Sequence, residues 1–470
     1  MSDYDAVVIG SGPNGLSAAI ELARNGAKVI VVEGHEMIGG GTRTAELTLP
    51  GFQHDYCSAV HPMGVLSPYW KTLPLAEHGL DWVYPQASVA HPLDNEPAVM
   101  LYRSVEQTMA NLGEDAEAWK KLVQPFVNRG EALLKDSLGP LSLPQNPLLL
   151  ARFGLKAMRS AAGLAKSKFQ GDRAQALFAG CAGHSVLPLD MRFSAAVGLM
   201  FAITAHLVDW PVAKGGSHSI TKALASYFES LGGEIESGKW VQSLGDLPSS
   251  KVVLFDTDPL QLASIAEDSL PSAYKKRLRK YHYGPGAFKV DWALDGPIPW
   301  NDHQCRLAST VHVGGTLAEI AQSEKDAWEG RISEKPFLIL CQQSEFDKRS
   351  PEGQHTAYAY CHVPHGSEVD MTERIENQIE RFAPGFKDLI LAKHKTSPKD
   401  FFLYNPNYLG GAITGGAAHF AQLFTRPVAR INPYTTPNKR LILCSAATPP
   451  GGGVHGMCGY HAAKTALKRI

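Results

Sequence analysis

Two stretches at opposite ends of this chain carry residue types and spacings that could do chemistry. Near the start, Gly10, Gly12 and Gly15 form G-x-G-x-x-G directly after a β-branched run, Tyr4 to Ile9, and Glu33 closes the next apolar run, Ala27 to Val32, 18 residues beyond Gly15. This is the pattern of a dinucleotide site. Gly10 lets the chain leave a strand tightly, Gly12 lets backbone approach a pyrophosphate, and Gly15 lets a helix pack closely on a sheet. Pro13 and Asn14 open that helix, whose free N–H groups and positive dipole end favour an anion. Glu33 can accept hydrogen bonds from both ribose hydroxyls of an adenosine and repels a 2′-phosphate, which selects FAD or NAD over NADP.

At the other end, LILCSAATPPGGGVHGMCGYHAAKTAL reads as a strand (Leu441 to Cys444), a glycine turn (Gly451 to Gly453) and a closing helix that starts near Gly456. The N-terminus of that helix, with Gly453, His455, Gly456 and Met457, could aim N–H groups at the electron-rich side of a flavin, where negative charge develops on reduction. The two chain ends then make one site. Between them, Gly39-Gly40-Gly41 runs into Thr42-Arg43-Thr44 soon after Glu33. This run resembles the flavoprotein extension in which Gly40, Gly41, Thr42 and Arg43 approach the FAD pyrophosphate.

These segments, with WPVAKGGSHSITKALASYFESLGGEI and VLFDTDP, resemble the phytoene desaturase-related FAD oxidoreductases. That group holds carotenoid desaturases and isomerases, retinol saturase and a pyridine nucleotide-disulfide oxidoreductase domain protein 2-like branch, which this chain resembles most. The resemblance is strong at both ends and weak between about 95 and 205. It implies bound FAD, a hydrophobic small-molecule substrate and a strand carrying Val241 to the adenine. Two departures stand out. Only ESGKWVQSLGDLPSSKVV separates Glu236 from Val253, where relatives carry a longer β-meander, and Ser445-Ala446-Ala447 stands where many flavoproteins place an aspartate on the ribityl chain. Pro449 occupies a position where near relatives often have histidine, so no proton-transfer role carries over there.

The elements that must position these motifs form an α/β chain: a Rossmann-type FAD-binding domain of the glutathione-reductase kind interleaved with an α+β substrate domain. Residues 1–75, 214–270 and 405–470 hold the nucleotide motifs, and 76–213 with 271–404 form the substrate domain. In the latter FKVDWAL, STVHV, KPFLILC and TAYAYCHV read as strands and Glu368 to Phe382 as a helix. Gly451, Gly453 and Gly456 repeat the spacing only in the chain's closing turn, with no further strand and acid after them, so a separate NAD domain is not expected.

Hydride chemistry at a flavin needs a C–H bond or alkene carbon held near N5 and one proton managed by a side chain. The candidates are His455 and Tyr460 near the start of the closing helix and His61, with His54 and Asp55 close by. Each has a bland alternative: a histidine in a glycine turn bonding backbone, a packed aromatic, a local cap.

Composition excludes other classes. The 470 residues are 44% hydrophobic and 19% charged with a net charge of −1, which gives no electrostatic reason to bind nucleic acid. Seven scattered cysteines without C-x-x-C suggest a reducing compartment and speak against a metal site or disulfide-reductase chemistry. The first apolar segment is the nucleotide strand rather than a signal peptide, so a cytoplasmic protein is expected. No acidic residue occurs from Ser137 to Gly171, where leucines mix with Arg152, Lys156, Arg159, Lys166 and Lys168. A basic amphipathic helix over 145–169 would suit peripheral membrane contact, packing on the cap, or contact with another copy of the chain.

The leading function is an FAD-dependent desaturase or saturase of an apolar, polyene- or lipid-like molecule. The alternatives are a redox-neutral flavin-dependent isomerase, a flavin-bearing interaction protein with little turnover, and an amine oxidase, which an aromatic ring around the flavin and a lysine near N5 would favour.

Overall fold

The opening run YDAVVI is apolar because it is buried on both sides: Tyr4–Ile9 is the central strand of a five-stranded sheet. From edge to edge that sheet runs Leu441–Leu443, Ser250–Phe255, Tyr4–Ile9, Val29–Val32 and Glu234–Glu236, all parallel. The structure, a computed structural model, describes residues 3–470. Parallel strands all end on one edge, and in such sheets ligands sit beyond that edge. Here the residues that follow the strand ends are Gly10, Glu33, Asp256 and Cys444-Ser445.

The first helix, Pro13–Arg24, starts at Gly12 with proline in its first turn and packs along the closing helix, Met457–Ala466. Glycine permits this contact. A Cβ on Gly459 would run into the Asn14 carbonyl, and one on Gly456 would meet Ser17 Oγ. Gly456 also has φ +69°, a left-handed conformation that glycine adopts freely. The two ends of the chain are thereby locked against each other beside the nucleotide strands.

The second sheet has seven strands in the order Ile390–Thr396, Gly286–Leu294, His355–Val363, Leu338–Cys341, Ala308–Val313, Ala87–Leu93 and Glu96–Leu101. All neighbours are antiparallel except Ala308–Val313 with Ala87–Leu93. One face packs on the helix Thr372–Phe382 through Val290, Leu340 and Ala359. The other face meets the buried helices Asp172–Gly183 and Ser194–Val208. Register sets this second face: His312, Ile339, Tyr360 and Lys289 stand opposite one another across four strands, and Thr310, Cys341, Tyr358 and Asp291 form the adjoining row.

Asp55 ties the two sheets together. Fully buried, it accepts hydrogen bonds from Thr44 Oγ1 (2.6 Å), the Ser217 amide (2.8 Å) and Arg349 Nη1 (3.1 Å). Burial alone would raise its carboxyl, but the Arg349 guanidinium and these hydrogen bonds hold it below the ordinary carboxylate range.

Two sequence expectations fail. Val241 lies in irregular chain, not in a strand, because Asp246 Oδ2 takes the amides of Gln242 (2.8 Å) and Ser243 (2.8 Å) into a local turn and withdraws them from any ladder. The basic stretch is not one helix over 145–169 but two, Pro147–Ala157 and Ala161–Lys168. Ser160 makes the break: its side chain accepts from the Gly163 amide (3.2 Å) and caps a new helix.

Candidate active site

A continuous cavity of about 590 Å³ runs from the strand ends of the parallel sheet to the polar face of the seven-stranded sheet. Its first half is lined by Gly10, Gly12, Pro13, Asn14, Gly40 and Gly41, with Glu33 and Arg43 beside them. Glu33 is fixed by its neighbours: Oε2 accepts from the Ser11 amide (2.9 Å) and hydroxyl (2.6 Å), and Oε1 from the His35 amide (2.9 Å) and Arg43 Nη2 (3.3 Å). Arg43 is 3% exposed, yet its Nε has no partner, and neither has Asn14 Oδ1. A donor and an acceptor left open in a glycine cradle are what a pyrophosphate-linked ligand would satisfy.

The cradle depends on missing side chains. A Cβ on Gly12 would come within 2.7 Å of Asp256 Oδ2, and one on Gly15 would strike the Gly10 carbonyl. Gly15 itself does not line the cavity; its amide donates to Asp256 Oδ2 (2.8 Å). Burial pushes the Asp256 carboxyl well up, with the nearby Glu33 charge adding to the rise. Thr42 is also set back, sharing a 2.7 Å hydrogen bond with Thr221 Oγ1 and donating to the Gly39 carbonyl. Val241 lines the far end beside Lys239 and Trp240, whose ring lies over Gly34.

The opposite wall of this half comes from the chain's end: Ser445, Ala446, Ala447, Gly452, Gly453 and His455. The Met457 amide donates to His455 Nδ1 (3.0 Å), which leaves the ring proton on Nε2. Across the cavity His61 is held likewise. Ser217 Oγ donates to the Ser58 carbonyl (2.6 Å), so it must accept from His61 Nε2 (2.8 Å). Burial pushes both imidazoles down to about 4, and both are neutral at neutral pH.

Tyr460 is a correction as a catalytic candidate. It is absent from the cavity wall; its ring stacks on Tyr69 at 4.5 Å, with Lys464 over its other side. Gly456 and Met457 also stay off the wall, the first against Ser17 and the second in the core beneath the parallel sheet. His54 and Asp55 belong to the contact between the sheets.

Three lining residues were not foreseen from sequence. Lys289 projects from the sheet floor, ion-paired with Asp291, bonded to the Asp55 carbonyl (3.1 Å) and lying 4.3 Å from the Tyr358 ring centre. Its signal was Lys-x-Asp inside an otherwise apolar strand, which places both charges on one face of a buried sheet. Asp256 was visible only as an acid at the end of a strand. Arg426 is 3% exposed and donates to the Gly415 (3.1 Å) and Ala446 (3.1 Å) carbonyls and to Tyr281 Oη (3.0 Å); no carboxylate pairs with it among the described residues.

Comparison with known proteins bears on this geometry. Residues 8–73 match the NAD(P)-binding Rossmann-like domain family. The whole chain is 28% identical to the pyridine nucleotide-disulfide oxidoreductase domain-containing protein 2 of Mus musculus, covering 94% of that protein. The chain is an oxidoreductase. A limonene dehydrogenase chain of Castellaniella defragrans is 32% identical over 134 residues, which is 28% of this chain and 24% of that one. The fold is shared with cyclohexylamine oxidase from Brevibacterium oxydans, with a TM-score of 0.59 at 15% identity over 99% of both chains. This oxidoreductase thus has a dinucleotide-binding Rossmann-like domain whose glycine edge opens into the cavity.

Proposed function

We propose that the cavity binds FAD along its glycine-rich half and an apolar substrate in the chamber over the seven-stranded sheet, and that the protein desaturates or saturates a polyene- or lipid-like molecule. The observation that carries this reading is how charge divides within one cavity. The lining carboxylates, Glu33, Asp256 and Asp258, and the lining arginines, Arg43 and Arg426, all lie in the nucleotide half. The chamber is walled by Leu138, Phe153, Val197, Met200, Phe201 and Ile339, surfaces that reward burial of hydrocarbon by about 25 cal/mol per Å².

Bound flavin supplies hydride transfer at N5. The chain's residues do the rest. Gly10, Gly12, Pro13, Asn14 and Gly40 would leave room for a pyrophosphate, Arg43 would offer it an unpartnered Nε–H, and Glu33 would be the acceptor for a ribose. His61 and His455, neutral and each with its proton on Nε2, fix orientation rather than exchange protons near pH 7. Arg426 places an uncompensated positive charge on the wall formed by Ala446 and Gly452, where it favours a ligand that gains negative charge. The test is anaerobic bleaching of the bound chromophore by terpenoids and polyenes, both hydrocarbons and their carbonyl-bearing analogues; failure of every such compound in a purified FAD-loaded protein would overturn the reading.

Amine oxidation is the second reading, and Lys289 favours it, set among Tyr358 and Tyr360 on the chamber floor. The fold shared with cyclohexylamine oxidase points the same way. The chamber offers no carboxylate to an ammonium group, which places this reading behind the first. Bleaching by alkylamines with release of ammonia would reverse the order.

Substrate entry is proposed from an anionic lipid surface. Leu143 (96% exposed), Leu148 (86%) and Leu155 (69%) stand out on the same segment whose Leu138 and Phe153 line the chamber, and Arg152, Lys166 and Lys168 are exposed around them. Exposed leucines among unopposed basic residues suit an interfacial helix. No helix among the described residues is long and apolar enough to cross a membrane.

A further inference from the structure

Deep in the chamber, among apolar side chains, stands one imidazole whose chemistry the apolar reading leaves unused. His184 follows the helix Asp172–Gly183, lines the cavity, and is clamped between Phe201 (ring centres 4.7 Å apart) and Trp210 (5.4 Å, perpendicular). Its Nε2 lies 2.8 Å from Nε2 of His312. One of these nitrogens must donate and the other accept, so the two rings have opposite tautomers.

The surroundings of His312 decide which donates. Its Nδ1 is buried without a partner and presses on the backbone of Gly180, where a Cβ would collide with it. A proton on that Nδ1 would be a buried donor aimed at a Cα, at the full desolvation cost of an unmade hydrogen bond. The proton therefore sits on His312 Nε2, and His184 Nε2 accepts it. His184, a neutral ring, then carries its own proton on Nδ1, a nitrogen with no protein partner that is not sealed from the cavity. Burial pushes His184 down to about 3, in agreement with a neutral ring.

Next to it, Ser185 is also part of the cavity wall, with its Oγ buried and without a partner. The turn carrying both is held under strain: Val186, a β-branched residue, has φ +53°, and the Ser185 and Val186 amides are tied back to Ala182 (2.9 Å) and Gly183 (3.1 Å). Left-handed backbone at valine is costly and is kept where surrounding structure enforces it, a pattern that recurs at ligand sites.

We propose that His184 Nδ1–H is the specificity-determining donor for an oxygen acceptor on the substrate, so that the molecule taken up is an apolar skeleton bearing a carbonyl or comparable oxygen rather than a pure hydrocarbon. This rests on the apolar-substrate reading above and narrows it. A site that donates to a substrate oxygen discriminates against the analogue lacking it, because its own polar group is then left unpaired.

The test is headspace-partition binding of butyrophenone and butylbenzene to the FAD-loaded protein, which requires no turnover. The ketone is expected to bind roughly five- to tenfold more tightly than the hydrocarbon, the worth of one neutral hydrogen bond. His184→Phe should abolish that preference while butylbenzene still binds, and His184→Gln, whose amide can accept from His312 and donate to the cavity, should restore most of it. Equal binding of both probes to the wild type overturns the assignment and leaves the apolar chamber standing, as does a preference that survives in His184→Phe. Binding of neither probe overturns the chamber reading itself. Should His184→Phe fail to fold, the wild-type and His184→Gln preferences decide alone, and a lack of preference in both counts against the assignment.

Discussion

The two halves of the cavity are built on opposite principles. The nucleotide half is made of absences and fixed charge: glycines without side chains, Glu33 held by four hydrogen bonds, Arg43 and Arg426 with donors to spare. The chamber is made of side chains, and its titratable groups are neutral rings or paired ions: His184 bonded to His312, Lys289 bonded to Asp291. Charge in the first half is aimed at an anion, whereas polarity in the second is reduced to directional donors among hydrocarbon. A redox site that holds a charged cofactor next to an apolar substrate needs both environments within one cavity.

The sharpest way to break the comparison is to fill the cradle. Gly12→Val would drive a side chain into Asp256 Oδ2, 2.7 Å from the first added carbon, and the protein should purify without flavin, with no recovery on adding FAD. The chamber should still bind an apolar probe. Loss of both functions together would show that the halves are not separable.

Removing the tie between the sheets comes next. Asp55→Asn removes one of the two carboxylates paired with buried Arg349, the other being Asp347, and losing a hydrogen bond to a charged group costs about 1.5–3 kcal/mol. Denaturant unfolding should register that loss, and an unchanged midpoint would dismiss Asp55 as the link. Arg426→Gln should weaken FAD binding by about tenfold and lower the flavin midpoint potential, since a hydrogen bond to a charged group is worth about 1.5–3 kcal/mol; spectroelectrochemical titration checks the sign. On the outer face, replacing Leu148 and Leu155 by Asp should abolish sedimentation with anionic vesicles and leave the flavin spectrum unchanged.

The smallest effect is spread over pH. His54, His61, His91, His206 and His455 are each pushed down to about 4 by burial. The unfolded chain therefore binds protons that the native state refuses between about pH 6.5 and 4, and stability rises with pH across that window. Each such histidine adds at most about 1.4 kcal/mol per pH unit to the slope. His91→Phe should flatten it slightly, as thermal unfolding against pH would record.

The nucleotide half was legible in sequence because its parts are local: Gly10, Gly12, Gly15 and Glu33 lie within one strand-turn-helix-strand unit. The chamber was not, since its floor depends on cross-strand register. His312, Ile339, Tyr360 and Lys289 meet because four strands pair in a particular alignment, and no spacing along the chain encodes that. His184 was hidden for a further reason: its role depends on the tautomer of a residue 128 positions away. Tyr460 misled because adjacency to a glycine turn says nothing about which side of a helix a residue faces, and this one turns to Tyr69. The helix break at Ser160, by contrast, was open to a capping argument, with a serine followed by Ala-Ala-Gly.

The central claim is that FAD and an apolar ligand share one cavity, and the visible absorption spectrum tests it directly. The purified protein should carry a flavin spectrum, release FAD on acid precipitation, and show a shift of the bound flavin bands when butyrophenone fills the chamber. A protein that takes up no FAD after reconstitution, or whose flavin bands ignore a ligand shown to be bound, would contradict the account.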